Sequence, residues 1–162
     1  MKSKILRIIL LIVLISPSIN GQNTEQDFGV SEELLDLIHE YGMMGYEYIQ
    51  EKPNLDSAEY YLLKALNLQL STPGFTINDR VAANYILLAA VYSMIFNNKL
   101  ALESLTEAEK ILSEIDPTSL YLASVYTNKG NILYRAANDV YKTKDYYEYA
   151  MNFMIRNGYQ YT

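Results

Sequence analysis

The stretch DSAEYYLLKALNLQL, residues 56–70, sets Ala58 and Ala65 seven residues apart with Leu62 between them. Positions i, i+4 and i+7 share one helix face. Small side chains two turns apart on that face let another helix come close, while the larger residue between them fills the gap. An ordinary amphipathic helix would carry Leu or Ile there. The same offsets return in LALESLTEAEKIL, residues 100–112, as Ala101, Leu105 and Ala108. A weaker third occurrence, DYYEYAMNFMIRNGY at 145–159, has Ala150 and Met154 in step but Asn157 in place of the second alanine.

The segments preceding these helices repeat as well. Tyr41, Met44, Gly45 and Tyr48 give a bulky, apolar, small, aromatic order that Tyr85, Leu88, Ala89 and Tyr92 reproduce. Tyr134, Ala137, Asn138 and Tyr141 have the third copy's spacing with the wrong residue at the small position. A different register around Lys129 and Gly130 is the alternative.

Apolar positions return every three or four residues from Ser31 onward, so the chain is expected to be all-α. Breaks at Lys52-Pro53-Asn54, Ser71–Gly74, Phe96–Asn98, Asp116-Pro117 and Thr143–Asp145 divide it into helices at about 31–51, 55–70, 79–95, 98–114, 118–142 and 145–157. Asp56 with Glu59, and Asp145 with Glu148, have capping-box spacing. Asp116 before Pro117 suggests a cap followed by a first-turn proline.

The N-terminus is of another kind. Lys2, Lys4 and Arg7 precede the apolar run Ile8–Ile15 and the small-residue stretch SPSINGQ. The run is too short to span a bilayer, so a cleaved secretory signal over 1–21 is expected, ending at Ser18 or Gly21, with an uncleaved anchor as the alternative. Residues 22–30 form a polar, disordered lead. The expected destination is the periplasm, with no stable membrane span after cleavage.

Loss of the leader removes three of thirteen positive charges and none of nineteen acids, leaving a formal charge of −9. Such acidity without a Lys/Arg cluster argues against nucleic acid. The 162 residues include no Cys, so stability in an exported chain must come from packing alone. The one histidine, His39, shares a helix face with Asp36 and Glu40, an arrangement that reads as a solvated surface. The glycines are dispersed and form no phosphate cradle. No catalytic set, cofactor or metal is therefore expected.

The residues quoted above resemble the tetratricopeptide repeat, with its W-x2-L-G-x2-Y…A-x3-F…A pattern. The likeness runs over about 31–71, 79–115 and 118–158, and Gly45, Tyr48, Ala58, Ala65, Ala89, Tyr92, Ala101, Ala108 and Ala150 carry it. Two departures stand out: the interval from Ala58 to Ala101 to Ala150 is 43 and then 49 residues, longer than the family's 34, and the third copy is degenerate. Other α-solenoids are the structural rival. The resemblance implies a right-handed solenoid of three antiparallel helix pairs within 31–162 that binds a protein or peptide in a groove lined by first helices.

Its groove positions would fall on His39, Gly42, Tyr46, Ile49 and Gln50 in the first repeat, and on Ala83, Ile86, Ala90, Ser93 and Met94 in the second. The third would offer Ile132, Arg135, Asp139, Lys142 and Thr143, or Asn128 and Asn131 in the other register. The first two sets hold no Lys, Arg or Asn, so the family's carboxylate clamp is not carried over, and an apolar or aromatic segment is the expected ligand. At the C-terminus Ile155, Tyr159 and Tyr161 leave an uncapped apolar face, which suggests a homodimer. A looser resemblance is to the exported sensor halves of bacterial histidine kinases and helix-turn-helix regulators, which would make the chain a shortened sensory relative.

Overall fold

A computed structural model describes residues 30–73, 78–137 and 140–159. The expected signal segment lies outside them, as does the polar lead up to residue 29. Val30 is described, and it packs partly buried against the core.

Six helices are present among the described residues: α1 (Glu32–Gln50), α2 (Leu55–Ser71), α3 (Asp79–Met94), α4 (Asn98–Ile115), α5 (Leu120–Ala137) and α6 (Val140–Arg156). Ser31, Asn54, Asn78 and Asn97 cap the first four. Each side-chain oxygen accepts the backbone N–H three residues on, at 3.0 to 3.3 Å. The cap of α2 is thus Asn54 rather than Asp56, which lies inside the first turn. Asp116 caps no helix directly: its carboxylate accepts from the N–H and hydroxyl of Thr118 at 2.9 and 2.6 Å, closing a turn before α5.

The last boundary also differs from expectation. The division between α5 and α6 falls between Ala137 and Val140, not at Thr143–Asp145. Asp145 consequently lies within α6 and cannot form a capping box with Glu148.

Each helix makes its most extensive contact within the pairs α1–α2, α3–α4 and α5–α6, and the narrower seams α2–α3 and α4–α5 join one pair to the next. Small residues make the pair contacts possible. A Cβ on Gly45 would lie 2.5 Å from Cγ of Leu62 and 3.3 Å from the Ala58 carbonyl oxygen, so only glycine fits. Ala58, Ala65, Ala101 and Ala108 are wholly buried.

A comparable contact is found in the last pair. A Cβ on Gly130 would meet the Tyr147 ring at 3.0 Å, and Tyr147 follows Gly130 by the same seventeen residues that separate Leu62 from Gly45. Thr143 and Ala150, both buried, then occupy the places of Ala58 and Ala65. Ala150 is the second small residue of its helix, not the first, and the interval from Ala58 to Ala101 to Thr143 becomes 43 and 42 residues.

Leu62, Val81, Leu88, Val91, Leu105, Leu112, Val125 and Ile132 form the innermost core. α3 is enclosed on most sides, with ten of its sixteen residues buried, as expected for a helix contacted by both α2 and α4. Polar groups mark the seams. Asn84 on α3 donates to Gln69 on α2 at 2.8 Å with both residues buried. At the second seam Lys129 on α5 pairs with Glu109 on α4 in a contact where the lysine is almost fully enclosed.

Candidate partner-binding site

The residues expected to line a first-helix groove do not form one continuous surface. Ile49 and Ile86 are core residues. Tyr46, Ala90 and Met94 are half-buried and pack against that core. Arg135 is exposed, and its guanidinium donates to the Asn131 carbonyl at 3.4 Å and to the Ser93 hydroxyl, tying α5 to α3. Ser93 is buried, so this pair of anticipated groove residues is engaged across the first helices.

A depression lies on another side, at the seam between the first two pairs. It measures about 550 Å³, with Leu63 and Leu66 from α2, Tyr85, Leu88 and Tyr92 from α3, and Leu100 from α4 as its apolar lining. Glu103 and Glu107 on α4 add two carboxylates. Burial, with the charge of Glu107 as a smaller cause, raises the pKa of Tyr85. Tyr92 is pushed up to about 12, first by burial and then by its hydrogen bond to the Glu59 carboxylate. Both hydroxyls therefore stay protonated at neutral pH and serve as donors, not as charges.

A second depression of about 310 Å³, lined by Glu109, Tyr126, Asp145, Tyr146 and Tyr149, repeats the first one pair further on. Tyr126 corresponds to Tyr85, and Asp145, Tyr146 and Tyr149 to Glu103, Ser104 and Glu107. Here Tyr149 contacts Tyr126 edge-on at 4.3 Å between ring centroids. Burial, followed by the hydrogen bond to Glu109, raises the Tyr126 pKa.

Sequence reasoning missed the first cleft because its apolar lining, Leu63, Leu66 and Leu100, reads as ordinary amphipathic helix. One usable signal existed: a tyrosine stands four residues before Gly45, Ala89 and Gly130 alike.

The C-terminal face is exposed at Ile155, while the Tyr159 hydroxyl donates to the Thr118 carbonyl at 3.1 Å and so returns to its own chain. Tyr161 lies outside the described residues. Among the described residues, no helix is long and apolar enough to cross a membrane, and no cluster of His, Cys, Asp or Glu could hold a metal ion. Comparison with protein-family models, with curated proteins and with solved structures finds no match to this chain.

Proposed function

We propose that the chain is a scaffold of three tetratricopeptide-like antiparallel helix pairs, stacked as an α-solenoid, that binds a segment of a partner polypeptide. The observation that carries this reading is the recurrence of one close contact: Gly45 against Leu62 in the first pair and Gly130 against Tyr147 in the third. A fold built by repeating a pair leaves a cleft at each seam. Extended polypeptide is the ligand that seams between stacked helix pairs suit best. In this reading the chain acts by holding its partner and performs no catalysis, and its expected place of work is the periplasm.

Selection of a random peptide display library on the immobilised full chain tests the reading. Convergence on a sequence motif is expected. Recovery indistinguishable from the bare support would overturn it.

A further inference from the structure

One position recurs in all three pairs with different chemistry. Tyr41, Tyr85 and Tyr126 stand four residues before the small residue of each first helix, and each faces a residue six positions after Ala58, Ala101 or Thr143. Those facing residues are Lys64, Glu107 and Tyr149.

In the first pair the chain supplies its own cation. The Lys64 ammonium lies 5.2 Å from the Tyr41 ring centroid and 4.7 Å from that of Tyr60, within cation–π range. In the third pair Tyr149 covers Tyr126 with its own ring. The second pair keeps the tyrosine, puts Glu107 where Lys64 stood, and puts Glu103 where Tyr60 stood. Glu107 forms no ion pair among the described residues. Glu103 has only Lys99 at 3.8 Å on the exposed surface, an interaction of little strength. Of the three equivalent positions, the second is thus left with an aromatic floor, two carboxylates and a leucine-lined depression.

We propose that the cleft between the first and second pairs receives a lysine or arginine side chain from a basic, apolar-flanked segment of a partner protein. Its charge lies against Tyr85 between Glu103 and Glu107, and its methylene stem and apolar neighbour rest on Leu63, Leu66 and Leu88. Charge complementarity selects this occupant, because the second pair offers the aromatic floor of the first with the cation replaced by acids. The inference rests on the polypeptide-binding reading above and gives that partner its chemistry.

The test is an NMR titration of the full chain with acetyl-Lys-Leu-Lys-Phe-Lys-amide and with its counterpart carrying Glu in place of Lys. The basic peptide is expected to shift the amides around Tyr85, Leu88 and Glu107 and to bind about tenfold or more tightly than the acidic one. Glu107→Lys, which recreates the first pair's internal cation, should weaken binding by about tenfold or more, while Glu114→Lys, the same charge change at the far end of α4, should alter it less than about twofold. Should Glu107→Lys fail to fold, Tyr85→Leu removes the aromatic face at similar volume and is expected to show the same loss. Equal binding of the acidic peptide, insensitivity to Glu107→Lys, or shifts centred on Tyr46 and Met94 would each overturn the cleft while leaving the polypeptide-binding reading intact. Binding of neither peptide also overturns the cleft, and the library selection then decides the broader reading separately.

Discussion

Phe96 holds a backbone φ of 61°, in the left-handed region where a non-glycine residue pays about 1–2 kcal/mol. It closes α3: the Asn97 N–H donates to the Tyr92 carbonyl at 2.8 Å and the Phe96 N–H to that of Ser93 at 3.3 Å, the Schellman arrangement. Gly158 does the same work at the end of α6 with φ of 74°. Since the Phe96 side chain is 77% exposed, little packing offsets the strain. Phe96→Gly is therefore expected to stabilise the chain by about 1 kcal/mol, read as a rise in Tm. At Gly45 the sign reverses. Gly45→Ala should destabilise by about 1–3 kcal/mol through overpacking on Leu62, and the double variant with Leu62→Ala should be more stable than the sum of the two single effects; strict additivity would mean that the two residues do not touch. Tyr92 adds a pH dependence. Its pKa is raised, so the folded state retains a proton that the unfolded chain releases near pH 10. The stability it contributes is full below that pH and is lost as pH rises toward 12. Denaturant titrations from pH 9 to 12 should show this decline, shallower in Tyr92→Phe.

At the scale of elements, the expected helices over 31–51, 55–70, 79–95 and 98–114 agree with the observed α1 to α4 within a residue or two at each end. Pro and Asn in the loops, together with small residues at fixed intervals, made them legible. In the final pair the sequence left two registers open, and the close contact falls on the one around Gly130, while the expected break at Thr143–Asp145 lies inside α6. Tyr134 and Tyr141 imitate the spacing of Tyr85 and Tyr92, yet both are exposed, and Gly130 one turn earlier makes the close contact. Thr143, a β-branched residue, takes a place that alanine fills in the other pairs, so a search for alanine passes over it. Caps offer a direct check. Asn97→Ala should lower stability by about 1 kcal/mol by losing the bond to the Leu100 N–H. Asp145→Ala, at the exposed interior position once expected to be a cap, should change it by less than about 0.5 kcal/mol. Chemical denaturation of both variants distinguishes the observed boundary from the expected one.

Over the whole molecule, the candidate site was less legible than the fold, because a cleft between pairs is a property of stacking and not of any one helix. Ile86 illustrates the difficulty: its spacing suits a groove, but α3 is packed from both sides and Ile86 is 4% exposed. Tyr149, Met151 and Ile155 are exposed on α6, and we propose that the homodimer expected from sequence would form through Ile155 on this face. Light scattering across a concentration series should then show a dimer that Ile155→Ser dissociates, and a monomer at every concentration would exclude it.

The seams described above also decide how the chain yields to force. Each pair is braced internally more extensively than it is joined to the next, so bending concentrates at α2–α3 and α4–α5. The second seam carries the enclosed Lys129–Glu109 pair, which resists opening, whereas the first has the neutral Asn84–Gln69 bond beside its larger depression. The first seam also keeps a direct α1–α3 contact across it, so the two joints differ in chemistry more than in extent. A segment wedged into the first seam would act as a shim between the first two pairs, and its occupancy would be readable as a change in the distance between the two ends of the chain's helical part.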